Sequence, residues 1–133
     1  MSSVFRYADL PRADRGGNVS TTYLVAGRAD QPPFTTGITE FAPGAALPLH
    51  HHNCDESVVV IEGAAVYQEG ATDLELRAYD TTLVPAGVVH CFRNESEDVM
   101  KILWIYGSAT PTRTLHDTGE TFPIGSEPHG AQS

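Results

Sequence analysis

A chain of 133 residues and 14.3 kDa has room for one domain, and at that size roughly two-thirds of the unfolded surface is buried, enough for a core without staples. With 41% apolar and 19% charged residues it has the composition of a globular protein, neither disordered nor fibrous. Eight Lys and Arg against seventeen Asp and Glu give a net charge of −9 and a pI near 4.9, a field that repels phosphate backbones and anionic lipid, so neither nucleic acid nor a membrane surface is an expected partner.

The longest apolar runs, Val58 to Ile61 and Ile102 to Tyr106, are far short of the roughly 20 residues a membrane span needs. The opening Met1-Ser2-Ser3-Val4-Phe5-Arg6 lacks the basic stretch and apolar run of a secretory signal. A soluble, cytoplasmic protein is expected. Cys54 and Cys91 are too few for a disulfide framework and form no CxxC pair, so both read as free thiols.

Twelve Gly and nine Pro punctuate the chain too often for an amphipathic helix of useful length. The segments between them are rich in Val, Thr, Ile, Tyr and Phe. In chain order the predicted strands are Ser20 to Val25, Phe34 to Phe41, Leu49 to His52, Ser57 to Ile61, Ala64 to Gln68, Leu74 to Tyr79, Thr82 to Val84, Val89 to Arg93 and Val99 to Tyr106. Short strands with tight turns at Pro43-Gly44, Glu62-Gly63, Glu69-Gly70 and Pro85-Ala86-Gly87 predict an all-β sandwich or barrel. Val58-Val59-Val60-Ile61 is apolar on both faces and is expected to be covered on both. Met100, Ile102, Trp104 and Tyr106 share one face of the last long strand, which is expected to point inward. Residues 1–133 read as a single domain, with a core barrel over about 18–108 and a tail over about 109–133 whose last ten or so residues are expected to be mobile. There is no internal repeat.

Three of the six histidines form the tripeptide His50-His51-His52, with Glu56 four positions on and His90 far downstream. Alternation along a strand sends His50 and His52 to one face and His51 to the other. Glu56 has the same parity, and His90 would join from a neighbouring strand. Three imidazoles and a carboxylate suit a divalent transition metal and leave positions open for water, substrate or dioxygen. A His-x-His pair also occurs on solvated strands, so the tripeptide alone leaves both readings open.

The wider spacing is more specific. Gly44-x5-His50-x-His52-x3-Glu56-x6-Gly63, followed by Pro85-x-Gly87-x2-His90-x3-Asn94, resembles the two signature motifs of the cupin superfamily. Every fixed slot of the first motif is filled, and in the second only the opening glycine is replaced, by Tyr79. The resemblance implies a double-stranded β-helix, a jelly-roll cupin barrel. It also implies His50, His52, Glu56 and His90 as ligands of one divalent metal ion, whether Fe, Mn, Ni, Cu or Zn.

Beyond the ligands, Phe41, Tyr67, Phe92, Trp104 and Tyr106 are expected to line a substrate pocket, and the phenols of Tyr67 and Tyr106 are candidate catalytic groups. His51 reads as facing away from the ion, Cys54 as a non-ligand and Cys91 as packed in the outer layer. Arg93, His116 and His129 read as surface residues. Asp55 reads as solvated or as steadying a ligand from behind. Such a centre suits a metal-dependent oxygenase acting on a small organic molecule, the favoured expectation. The alternatives are a redox-neutral lyase, isomerase, cyclase or decarboxylase, and a non-catalytic small-molecule-binding barrel. A homodimer is expected, with Leu103, Ile105 and the strand Thr21 to Val25 at the contact.

Overall fold

A computed structural model describes residues 2–125. After a single 3-10 turn at Tyr7–Asp9 the chain is all strand: β1 Arg12–Gly16, β2 Val19–Val25, β3 Thr35–Phe41, β4 His50–His52, β5 Glu56–Glu62, β6 Ala64–Glu69, β7 Thr72–Arg77, β8 Thr81–Val84, β9 His90–Arg93, β10 Met100–Tyr106, β11 Thr112–Leu115 and β12 Thr121–Pro123. Two six-stranded sheets, ordered β1-β2-β3-β10-β5-β8 and β12-β11-β4-β9-β6-β7, pair antiparallel throughout. This is the jelly-roll barrel. Its core fills the space between the sheets, as alternating strands require.

That alternation is clearest in β3 and β10, where every second residue is buried. Met100, Ile102, Trp104 and Tyr106 all point inward, with Phe41 and Val58 beside them in the core. β5 departs from its expected two-sided cover: Val58 and Val60 are buried, but Val59 and Ile61 are only half-buried.

Each predicted strand is present with its ends moved by a few residues, but three strands were not foreseen. β1 extends the first sheet, and β11 and β12 extend the second. All three carry charged or threonine-rich sequence, Arg-Ala-Asp-Arg-Gly, Thr-Arg-Thr-Leu and Thr-Phe-Pro, with too few apolar residues to display period-2 alternation. Strand therefore continues past both ends of the core predicted over 18–108. The expectation of a mobile end and an exposed His129 lies for the most part outside the described residues.

The residues expected at a dimer contact lie on inner strands of the first sheet. β2 is hydrogen-bonded between β1 and β3, and β10 between β3 and β5, so neither offers a free edge. Thr21, Thr22 and Tyr23 are buried, while Leu103 and Ile105 are half-buried on the outer face. The edges are β1, β8, β12 and β7.

Two turns show what the backbone asks of its residues. Gly63 has φ +75, and a Cβ there would run into the Val99 carbonyl, so only glycine fits. Tyr79, standing where the resembled motif has glycine, has φ +75 as well. The turn keeps its left-handed geometry, and the tyrosine bears the strain with its side chain 79% exposed. Tyr79→Gly is therefore expected to stabilise the protein by about 0.5 to 1 kcal/mol, raising Tm by roughly 2 to 5 °C. A lower Tm would mean that the exposed ring contributes more than the strain costs.

Asn94 closes the second motif with a structural role. Buried between β9 and β10, its amide nitrogen donates to the carbonyls of Phe41, Ala42 and Asp98 at 3.1, 3.2 and 2.7 Å, and its oxygen accepts from the Ser96 amide and hydroxyl. It staples the end of β3 to the loop that follows the strand carrying His90.

Candidate metal centre

Four buried side chains from three strands converge between the sheets. β4 supplies His50 and His52 on one face, as strand parity requires. β9 lies alongside with His90 opposite His50. Glu56 opens β5 in the facing sheet, paired with Tyr106 and Val84. Relative exposure is 3% for His50 and His52, 4% for Glu56 and 1% for His90. Ligand-capable atoms of the three histidines all lie within 4.8 Å of one another. Glu56 Oε1 is 3.1 Å from His90 Nε2 and 3.7 Å from His52 Nε2.

The outer nitrogen of every ring is engaged in the same way. Nδ1 of His50, His52 and His90 lies 2.7, 2.9 and 2.8 Å from the backbone carbonyls of Pro48, Thr112 and Val88. A carbonyl only accepts, so each Nδ1 carries the proton and each Nε2 turns toward the centre, the arrangement that holds metal-ligating imidazoles in place. At His90 this sets Nε2 against a carboxylate oxygen, and something cationic, a proton or a metal ion, must stand between the two acceptors. The donor set thus fits a divalent transition metal, with His50, His52, His90 and Glu56 as the residues that would hold it.

The electrostatics keep the donors available. Burial, helped by Arg113 and the neighbouring imidazoles, holds His50 well below the ordinary histidine range. Burial is also the main cause that brings His52 down to about 4; Glu56 opposes it, and Arg113 and His90 add to it. Both shifts favour the neutral ring, the form that can coordinate. Burial raises the Glu56 carboxyl, but the His90 hydrogen bond, the charges of His52 and His90 and the Tyr106 phenol outweigh it, and the net shift is downward.

A small cavity of about 20 Å3 opens beside these donors, bounded by His50, Glu56, Phe41, Phe92, Trp104 and Tyr106 among others. Four of the five predicted lining residues thus come together. Tyr67 does not. It is on β6, its ring packs against Phe92 and His90 at centroid distances of 5.2 and 6.1 Å, and its phenol donates to Glu69 Oε1 at 2.7 Å, away from the cavity. Burial and the Glu69 partner push that phenol well above the tyrosine range. The Tyr106 hydroxyl, by contrast, lies 3.4 Å from His52 Nε2.

The remaining residues separate cleanly. His51 is half-buried on the opposite face of β4, and His116 is exposed. Cys54 lies outside the cluster, and burial, then Glu56 and Asp55, raise its thiol pKa, which disfavours a thiolate ligand. Cys91 is 3% exposed and meets Gln68, and Arg93 is tied to Gln68, Asp73 and Glu95 at the surface. Asp55 touches no ligand; its carboxylate accepts from the Ala86 amide at 2.9 Å.

Two charged lining residues were missed. Arg15 from β1 and Arg113 from β11 are 5% and 4% exposed and border the same cavity from strands that read as loop and tail. The available signal was weak: Arg113 alternates with Pro111 and Leu115, and only the β-favouring threonines between them hint at a strand.

Comparison with known proteins follows the geometry. A family model described as the cupin domain matches residues 37–106. No curated protein sequence matches the chain. Among solved structures, it is similar to a cupin-superfamily sugar phosphate isomerase from Silicibacter pomeroyi (18% identity, 95% of this chain and 96% of that one, TM-score 0.71). It is also similar to the polyketide cyclase RemF from Streptomyces resistomycificus (13%, 98% and 90%, TM-score 0.73) and to KdgF from a Halomonas species (18%, 80% and 94%, TM-score 0.68). At these identities the likeness is one of fold.

Proposed function

The chain belongs to the cupin family, and on that premise we propose that it is a metal-dependent enzyme, an oxygenase acting on a small organic molecule. One observation carries the reading: three imidazoles, each tied through Nδ1 to a backbone carbonyl, turn Nε2 toward a shared centre beside Glu56. When bound there, an Fe, Mn, Ni, Cu or Zn ion supplies Lewis acidity and, where redox-active, a path for electrons to dioxygen. The protein's own part is to orient and to exclude water. Phe41, Phe92 and Trp104 make the cavity wall apolar, and the Tyr106 phenol can hold or pass a proton at its hydroxyl.

The choice of an oxygenase rests on what the cavity offers for proton transfer. Among the described lining residues its carboxylate and imidazole, Glu56 and His50, both belong to the ligand set, which leaves the Tyr106 phenol to move a proton there. A second reading, redox-neutral lyase or isomerase chemistry, is favoured by Arg15 and Arg113, which can stabilise an enolate or oxyanion without a change of oxidation state.

An oxygen electrode separates the two, with as-isolated protein screened against diols, diketones, phenolics and small acids. Oxygen uptake that His52→Ala abolishes supports the oxygenase. Turnover of the same compounds under nitrogen supports the second reading, and binding without turnover would reduce the protein to a small-molecule-binding barrel.

Two further elements belong to this reading. The protein is a homodimer, supported by the apolar Leu83 (76% exposed) and Tyr79 on and beside the edge strand β8. Sedimentation should give a mass near twice 14.3 kDa, and a monomer mass would overturn it. The location is cytoplasmic, consistent with the free thiols Cys54 and Cys91. Among the described residues no helix is long and apolar enough to cross a membrane, and cell fractionation tests the assignment.

A further inference from the structure

The turn Asn53-Cys54-Asp55 joins His52, at the end of β4, to Glu56, at the start of β5, and its two polar side chains bond to two different segments of backbone. Asn53 clamps the start of β11. Its Nδ2 donates to the Thr110 carbonyl at 3.2 Å, and its Oδ1 accepts from the Thr112 amide at 2.9 Å. The side chain thus brackets Pro111, which has no N–H of its own to offer a neighbouring strand. Thr112 is also the residue whose carbonyl receives the Nδ1 proton of His52, at 2.9 Å. One amide side chain therefore fixes the residue that fixes the ring.

Asp55 is placed in the same way toward the loop that leads into β9. Its Oδ1 accepts from the Ala86 amide at 2.9 Å, the Val88 amide closes the loop onto the Pro85 carbonyl at 3.2 Å, and the Val88 carbonyl receives the Nδ1 proton of His90 at 2.8 Å. The Gly87 amide returns to the His52 carbonyl at 3.0 Å, and the Gly107 amide, just past Tyr106, donates to the Asp55 carbonyl at 3.0 Å. Asn53 and Asp55 are exposed, yet their side chains are spent on the backbone beside two ligand rings. The partner of Nδ1 sets both the tautomer and the aim of an imidazole, so whatever holds that partner still also holds Nε2 on the centre. We propose that Asn53 and Asp55 are positioning residues of the metal centre, Asn53 aiming His52 through Thr112 and Asp55 aiming His90 through the 85–88 loop. The inference rests on the metal-centre reading above and deepens it by naming residues beyond the ligands that set its geometry.

The test compares the full-length parent with Asn53→Ala and Asp55→Ala, with circular dichroism as the check on folding. In the metal-free state, long-range proton–nitrogen NMR reads the tautomer of each ring. Asn53→Ala should move His52 away from its Nδ1–H form and leave His90 as it is, and Asp55→Ala should act on His90 more than on His52. In a chelator competition each should weaken zinc binding by about fivefold or more. Asp80→Ala is the comparison, since its carboxylate accepts from the Arg77 amide at 2.8 Å in the exposed turn between β7 and β8. Its loss should lower Tm while the ring spectra stay unchanged and zinc affinity stays within about twofold of the parent. The same result at Asn53 and Asp55 would mean that they only stabilise a turn, and it would overturn the proposal.

Conservative variants separate the hydrogen bond from charge and decide the matter should the alanine variants fail to fold. Asp55→Asn keeps an acceptor oxygen for the Ala86 amide without the charge, so it should behave as the parent does; weakening as great as in Asp55→Ala would mean that charge near the ion is at work, and would overturn the role of Asp55. Asn53→Asp keeps the acceptor for Thr112 and loses the donor to Thr110, so its His52 spectrum should fall between those of the parent and Asn53→Ala; an unchanged spectrum would overturn the role of Asn53. A parent that takes up no zinc while its ring spectra respond as expected would defeat the metal reading alone, and one that takes up zinc while the ring spectra ignore both substitutions would defeat this inference alone.

Discussion

Gly37→Ala is expected to destabilise the protein by about 3 kcal/mol, seen as a urea midpoint lower by roughly 1 to 2 M. Gly37 lies on β3 directly opposite Trp104 of β10, and a Cβ built there overlaps the six-membered ring of the indole. The ring cannot simply rotate aside. Its Nε1 donates to Thr39 Oγ1 at 2.9 Å, Tyr23 meets it edge-on with centroids 6.3 Å apart, and Tyr106 lies 5.0 Å away on the other side. The overlap must be relieved by moving Trp104, which costs an overpacking penalty of about 1 to 3 kcal/mol and a buried hydrogen bond of about 1 kcal/mol. Gly107→Ala is the control, because a Cβ there meets nothing closer than the Asp55 carbonyl at 3.7 Å, and its effect should stay within about 0.5 kcal/mol. Trp104→Phe, which removes the overlapping atoms, should recover part of the loss in the Gly37→Ala background. Equal losses at Gly37 and Gly107, or no recovery, would contradict the packing described for β3 and β10.

His52→Ala should lower metal affinity at least about 100-fold in a chelator competition with zinc or cobalt. Loss of a group that merely orients a ligand already costs about 10 to 100-fold, and His52 is itself placed to coordinate. The adjacent His51→Ala provides the comparison. His51 is on the opposite face of β4, paired with Thr114 of β11, and its removal should change affinity less than about threefold. Because metal binds only the folded chain, the His52 variant should also lose the stabilisation that saturating metal gives the parent, about 3 kcal/mol at a concentration 100 times Kd. Similar losses at the two positions would mean that strand alternation does not sort ligand from non-ligand here.

Much of this centre was legible because a strand has period 2. His50 and His52 share a face whatever the barrel's exact shape, and the motif spacing brought Glu56 and His90 to the same point. The even residues of Met100 to Tyr106 revealed an inward face by the same rule. Tyr67 was misplaced because parity gives a face and not the direction of a long side chain: β6 does face inward there, but Glu69 offers its phenol a partner outside the cavity. Arg15 and Arg113 went unseen for the opposite reason. They are on short, polar strands whose inward residues are charged, so hydrophobic alternation had nothing to register, and only pairing with β2 and with β4 brings them to the site. Tyr79 shows the limit of motif matching, since a non-glycine residue adopts the backbone conformation that the motif reserves for glycine.

The central claim, a single metal ion held by His50, His52, Glu56 and His90, is tested most directly by elemental analysis. Untagged protein, as isolated, is measured by inductively coupled plasma mass spectrometry beside the His50→Ala/His52→Ala double variant. The account predicts close to one transition-metal ion per chain in the parent and less than about a tenth of that in the variant. No metal in either protein, even after reconstitution with Fe, Mn, Ni, Cu and Zn in turn, would contradict it.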